Sequence, residues 1–145
     1  MIKKFMFGAL LICASIAGNA QNWLTNFEDA TSLASKSNKN IVLVFQGSDW
    51  CAPCIKLDHE IWSTSAFIDY SKEHFILVKA DFPRKSKNQL SKEQELQNKN
   101  LMEKYNKQGY FPFVAVINKK GELLGSTGYK KTTPEDYIKT LTSFK

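Results

Sequence analysis

Residues 41–57 read IVLVFQGSDWCAPCIKL. The first five side chains are apolar and largely β-branched, which is typical of a strand buried on both faces of a mostly parallel sheet. The polar residues 46–49 break that strand, and from Cys51 to Trp62 the apolar positions recur near helical spacing. The stretch therefore predicts a buried strand, a short loop and a helix that begins at Cys51, with a second cysteine, Cys54, three positions further on.

The two cysteines are the candidate reactive groups of the chain. At this spacing on a helix they lie on neighbouring positions of one face, close enough to form a small disulfide ring. Unpaired N–H groups and the positive end of the helix dipole stabilise a thiolate at Cys51, and the thiolate is the attacking species in disulfide exchange. Cys54 lies one turn deeper, so we expect it to be less exposed and to resolve the mixed disulfide.

Three other interpretations of the cysteine pair are weaker but stay open. A purely structural disulfide would stabilise little, because the gain grows with the length of the closed loop. A zinc site completed by His59 and His74 would need the run C-x₂-C-x₄-H-x₁₄-H, which does not match the usual finger or ribbon spacings. A redox fold that has lost its activity would not need to retain both sulfurs.

The rest of the chain alternates predicted helices and strands. Two capping-box patterns and one Thr-Pro start predict helices with N-caps at Thr25, Ser91 and Thr133. Further apolar runs predict strands over Phe75–Ala80, Phe113–Ile117 and, across a turn at Gly121, Glu122–Ser126. Because helices alternate with strands and the last hairpin adds an antiparallel edge, we expect an α/β layer sandwich around a central mixed sheet.

The first twenty residues have the pattern of a secretory signal peptide. A short start with Lys3 and Lys4 precedes an uncharged run from Phe5 to Ile16, and Gly18 and Ala20 put small residues at the −3 and −1 positions. We therefore predict a signal peptide over residues 1–20 and one domain over residues 21–145. Lipid attachment at Cys13 and an uncleaved anchor are the alternatives, and a spanning helix would need ~20 apolar residues.

Composition excludes several other classes of protein. The chain has 145 residues, 43% of them hydrophobic and 12% aromatic, which excludes a disordered chain. The formal net charge is +6, but no basic stripe with interleaved aromatics occurs, so we expect no nucleic-acid partner. A lysine-rich segment over residues 83–108 is either a solvated helix face, which we favour, or a docking surface for an acidic partner.

The predicted mature chain resembles the thioredoxin superfamily over nearly all of its length. The matching features are the strand Ile41–Phe45, the motif Trp50-Cys51-Ala52-Pro53-Cys54, the step Phe111-Pro112 before the next strand, and the Gly121 hairpin. Residues 47–57 look like exported thioredoxin-like proteins of bacterial envelopes. The resemblance implies a three-layer α/β/α sandwich, a cis Pro112 that faces Cys51, and substrate backbone paired by Phe111. Trp50, Phe111 and Pro112 would form an apolar rim around the sulfur, and simple core packing is the alternative for Phe111.

Two positions depart from the family pattern. Many thioredoxins carry a buried acid six residues before the first cysteine, where this chain has Phe45. The usual proton acceptor for the resolving thiol is then missing, unless Asp49, Lys79 or a water molecule replaces it. Slower resolution at Cys54, or resolution driven by a different neighbour, are the alternatives. The residue before the cis proline is often small or β-branched, so the larger Phe111 should narrow or reshape the groove.

These observations predict an exported thiol–disulfide oxidoreductase that reduces disulfides in other exported proteins. The dithiol itself is the redox group, so we expect no metal or organic cofactor. The resemblance implies an upstream dithiol donor, plausible as a membrane relay, and we expect a monomer. The periplasm is the favoured location, with secretion or a lipid tether as alternatives. A disulfide-forming oxidase and a non-catalytic binding or chaperone module are the competing functions.

Overall fold

The computed structural model of the chain describes residues 21–145. The predicted signal peptide over residues 1–20, and with it the alternative of a lipid on Cys13, lies outside the described residues. Within residues 21–145, no helix has both the length and the apolar character that a membrane span requires.

The chain has five strands: β1 (Trp23–Leu24), β2 (Asn40–Gln46), β3 (Phe75–Asp81), β4 (Phe113–Ile117) and β5 (Leu123–Thr127). They form one mixed sheet in the order β1-β3-β2-β4-β5. The two inner parallel strands, β2 and β3, run side by side in register from Asn40 opposite Phe75 to Gln46 opposite Asp81. β1 also pairs parallel with β3, whereas β4 pairs antiparallel with β2 and β5. The predicted mixed sheet is therefore confirmed.

Helices cover both faces of this sheet. They are α1 (Phe27–Ser37), α2 (Ala52–Leu57), which continues as a π-helical turn (Asp58–Trp62), α3 (Ser65–His74), α4 (Lys92–Tyr105) and α5 (Pro134–Ser143). Side chains of β2 alternate between the two faces, as a strand requires. Val42 and Val44 pack with residues of α2, the π turn, α3 and α5, whereas Leu43 and Phe45 pack with residues of α1 and α4. The chain is thus the predicted three-layer α/β/α sandwich.

The helix starts agree with the sequence at two of three predicted caps. Ser91 and Thr133 cap α4 and α5 with their hydroxyl oxygens. The prediction of Thr25 as the first cap is wrong, because the side chain of Asn26 accepts the N–H of Asp29 at 3.1 Å instead. The carbonyl oxygen of Thr25 is bound by the side-chain amides of Gln94 and Gln97, which attach this strand-to-helix connection to α4.

Trp62 is the centre of the core on the α3–α5 side of the sheet. Its side chain is 1% exposed, and its ring meets Trp23, Phe67 and Tyr137 edge to face, with centroids 5.6, 4.6 and 5.4 Å away.

We expect Trp62→Ala to lower the free energy of unfolding by about 3–5 kcal/mol, measured by urea titration. Leu123→Ala, at a side chain that is 46% exposed, is the control and should cost less than about 0.5 kcal/mol. Equal losses in the two variants would contradict the assignment of Trp62 as a core centre.

Candidate active site

Cys51 is the N-cap of α2. Its backbone is extended, with φ −89° and ψ 99°, and its sulfur accepts the N–H of Cys54 at 3.3 Å. Its own N–H donates to the carbonyl of Gly47 at 2.9 Å, so the loop after β2 closes directly onto the helix start. The sulfur of Cys51 therefore lies where the unpaired N–H groups of a helix meet, a position that favours a thiolate over a thiol.

The two cysteines form a disulfide in this structure. Their Cα atoms are 5.2 Å apart, and the residues are 3% and 4% exposed. The expectation that Cys54 would be less exposed than Cys51 is wrong for this oxidised form. Both cysteines of the disulfide are therefore buried.

The rings of Trp50, Phe82 and Phe111 form a continuous aromatic surface, called the wall below, and Trp50 directly precedes Cys51 in the chain. The indole N–H of Trp50 donates to the carbonyl of Phe82 at 2.7 Å, and its ring lies so close to Gly47 that a Cβ there would overlap it. Phe111 meets the rings of Trp50 and Phe82 edge to face, each with centroids 5.4 Å apart. Trp50 and Phe111 are thus in contact, and Phe82 extends the wall that they form.

Pro112 lies at the end of the sheet where β2 ends and the loop to Cys51 begins. The Phe111–Pro112 peptide bond is cis, and Pro112 is buried. Because Phe113 pairs with Phe45 near the end of β2, the residue before it is placed at the edge where the loop to Cys51 begins. Phe111 also packs against the core on the α1–α4 side of the sheet, so its two predicted roles are not exclusive.

The side chain of Asp49 holds the loop after β3. Its carboxylate accepts the N–H groups of Arg84 and Lys85 and the side-chain amide of Asn88, at 2.9, 3.0 and 2.9 Å. The hydrogen bond from the Arg84 N–H, with help from Asn88 and Lys85, lowers the pKa of Asp49 to about 2. Asp49 is therefore a poor candidate for the proton acceptor of Cys54.

A second candidate for that role lines a cavity of about 340 Å³ beside Cys54. Asp58 and Lys79 both contact this cavity, and the Lys79 ammonium lies 3.2 Å from an Asp58 oxygen. Phe45, at the position of the family's buried acid, is fully buried and packs against Phe113. The carboxylate near Cys54 thus comes from α2 and its continuation. The spacing of Cys54 and Asp58 places them on one face of a helix, a signal that the sequence analysis missed.

The histidines of the zinc interpretation lie on different helices. His59 is exposed on the π turn, and His74 ends α3 with its ring stacked on Tyr70. Across residues 21–145, no three His, Cys, Asp or Glu side chains are grouped so that they could hold a metal ion.

The low pKa of Asp49 predicts an acid-sensitive contribution to stability. Because the folded state favours the carboxylate, this contribution is complete above the ordinary pKa of 3.8 and is lost as the pH falls toward about 2. We expect the urea midpoint of the wild type to fall more steeply between these pH values than that of Asp49→Asn. Asp69→Asn, on the exposed surface of α3, should keep the wild-type slope. Parallel profiles for the wild type and Asp49→Asn would contradict the assignment.

Comparison with known proteins places this geometry in a family. The model of a family described as thioredoxin-like matches residues 22–119. The disulfide bond reductase DsbH of Chlamydia pneumoniae is 31% identical over 118 residues, which cover 81% of this chain and 69% of that protein. A solved structure titled DsbH oxidoreductase superposes with a TM-score of 0.79 at 29% identity, over 95% of this chain and 93% of the other.

A more distant solved structure supports the fold alone. The disulphide isomerase of Xylella fastidiosa Temecula1 superposes with a TM-score of 0.61 at 22% identity, over 80% of this chain and 88% of the other. With the disulfide at the start of α2 and the cis Phe111–Pro112 bond, the family model and the two DsbH matches show that the chain belongs to the thioredoxin-like family and is a thiol–disulfide oxidoreductase.

Proposed function

We propose that this thiol–disulfide oxidoreductase reduces disulfide bonds of exported proteins, with Cys51 as the attacking thiolate and Cys54 as the resolving thiol. The observation that carries the proposal is the Cys51–Cys54 pair at the N-terminus of α2, beside the wall of Trp50 and Phe111. The relative named a disulfide bond reductase supports the direction. Export rests on the predicted signal peptide of residues 1–20, and the periplasm is the proposed location.

The reaction begins with the reduced dithiol. The Cys51 thiolate attacks one sulfur of the substrate disulfide, and the substrate S–S bond breaks as its second sulfur leaves as a thiolate. Cys54, as a thiolate, then attacks the Cys51 sulfur and releases the remaining substrate sulfur. Two electrons pass to the substrate, and the protein is left in the disulfide form described above. A donor dithiol must restore the reduced form by the same exchange in reverse.

The backbone N–H of Cys54 has a direct part in the first step. It points at the Cys51 sulfur at 3.3 Å, so it stabilises the negative charge of the thiolate from which Cys51 attacks. Trp50, Phe111 and Pro112 are proposed as the apolar rim against which the substrate segment lies.

The two cysteines are predicted to have different mutant behaviour. With dithiothreitol as donor, the wild type should accelerate the precipitation of reduced insulin, and Cys51→Ser should return the rate to that of buffer because the attacking sulfur is gone. Once it has been reduced and freed of dithiothreitol, Cys54→Ser should form a mixed disulfide that accumulates, since no thiol is left to resolve it, and non-reducing electrophoresis would detect the trapped substrate.

Two outcomes would redirect the proposal. A wild type that matches the buffer control would favour the non-catalytic binding module. The reduction potential, measured against glutathione, tests the direction, because potentials range from roughly −270 mV for a reductase to roughly −120 mV for an oxidase. A value near the upper limit would favour disulfide formation.

We further assign the proton of the resolving step to Asp58, which shares a cavity with Cys54 and lies one helical turn beyond it. Asp58→Asn should slow resolution of the mixed disulfide by roughly 100-fold, the low end for a general base, because water also reaches this half-exposed carboxylate. The measurement is rapid-quench detection of the mixed disulfide across a range of pH.

The pH profile separates proton transfer from a structural effect. High pH ionises thiols without a base, so the Asp58→Asn defect should shrink as the pH rises. Asp69→Asn should resolve like the wild type at every pH. A defect that is independent of pH would contradict the assignment of Asp58 as the proton acceptor.

A further inference from the structure

Arg84 is an exposed cation that lies over the ring of Trp50. Its guanidinium carbon is 3.8 Å from the centroid of the Trp50 ring. Within residues 21–145 the ion pairs are Lys79–Asp58 and Lys139–Asp136, so the Arg84 guanidinium has no carboxylate partner in that part of the chain. A stacked guanidinium uses its face for the aromatic ring and keeps its N–H edges free for another group.

The position of Arg84 is fixed by bonds that do not involve its side chain. Asp49 accepts the backbone N–H of Arg84 at 2.9 Å and that of Lys85 at 3.0 Å, and Trp50 binds the carbonyl of Phe82 two residues earlier. The loop and the indole therefore hold each other in place. A guanidinium that is already ordered loses less conformational freedom when it binds a partner.

The acidic side chains near this loop are bound to backbone groups of the loops, whereas the basic side chains of the loop are exposed to solvent. The carboxylates of Asp49 and Asp81 accept hydrogen bonds from the loops themselves, since Asp81 accepts the N–H and the hydroxyl of Ser48. The side chains of Arg84, Lys85 and Lys87 are exposed. The exposed side chains of this loop are thus cationic, and one of them, Arg84, contacts an aromatic ring. Arginine and aromatic residues are both enriched in protein interfaces.

We propose that the surface formed by Trp50, Phe82, Arg84 and Phe111 binds the protein whose disulfide is reduced, and that Arg84 pairs with an Asp or Glu side chain next to that disulfide. This inference rests on the proposed function and names the class of substrate. Because Trp50 directly precedes Cys51, a segment that brings its disulfide to Cys51 passes within reach of Arg84. The guanidinium binds the carboxylate through two parallel N–H donors while it stays stacked on Trp50.

Two synthetic peptides test this charge preference. Each contains one intramolecular disulfide, and they differ only in carrying Glu or Lys next to one cysteine. Reduced wild-type protein should reduce the Glu peptide roughly three- to fivefold faster than the Lys peptide at low ionic strength, the upper range for an exposed ion pair. The difference should shrink at high ionic strength, because salt screens exposed charges. Arg84→Glu should reverse the preference, and Arg84→Gln should abolish most of it.

Lys120→Glu is the matched control. It makes the same change in net charge at an exposed residue in the turn after β4. Ile117, which ends β4, pairs with Ile41 near the start of β2, so this turn lies at the end of the sheet opposite Cys51. The peptide preference should be unchanged in Lys120→Glu. An equal change in Lys120→Glu and Arg84→Glu would show an effect of net charge alone and overturn the inference.

The remaining outcomes separate the inference from the proposed function. If the wild type reduces both peptides at the same rate, the inference fails and the reductase activity stands. If the wild type reduces neither peptide nor insulin, the proposed function itself fails and the inference fails with it.

Discussion

The hydrogen bond from the Cys54 N–H to the sulfur of Cys51 is the interaction on which the site depends. It exists because Cys51 occupies the capping position of α2, where most helices have an oxygen side chain. A sulfur in that position receives the field of the helix end through its contact with the Cys54 N–H. The same geometry holds Cys54 one turn away, close enough to close the ring. One local feature thus supplies both a position that favours a thiolate at the first sulfur and the position of the second.

The central parallel pair of strands determines what surrounds that sulfur. Because β2 and β3 end side by side, the loops that follow them meet at one edge of the sheet. Asp49 and Trp50 on the first loop bind the second loop through its backbone, and Gly47 leaves room for the indole. The active-site wall is therefore built by the register of two core strands. A shift of that register would move Arg84 away from Trp50 and change the surface without touching either cysteine.

The parts of this structure that the sequence predicted are those that depend on neighbours in the chain. Local signals predict the strands β2, β3 and β4, from their apolar runs, and the helix caps Ser91 and Thr133. The structure confirms them. β1 has two residues, too few to show a period, and it is a strand only because β3 lies beside it. The hydrogen bonds from the Arg84 and Lys85 N–H groups to Asp49 span 35 and 36 positions of the chain, so they depend on the strand register. The place of Pro112 near the cysteines came from the family resemblance, since spacing alone does not show which sheet edge it occupies.

This chain has Phe45 in its core where many thioredoxins have a buried acid. The carboxylate near Cys54 therefore lies outside the core. A carboxylate at position 45 would lie among apolar side chains, and burying one costs several kcal/mol unless it is paired. Phe45 removes that cost and adds an aromatic contact with Phe113. Asp58 reaches the cavity beside Cys54 from the partly exposed surface, with Lys79 as its partner, so its charge is never taken fully out of water. A proton acceptor in that position can be altered without opening a cavity in the sheet, and the rate of the resolving step can change while the fold stays the same.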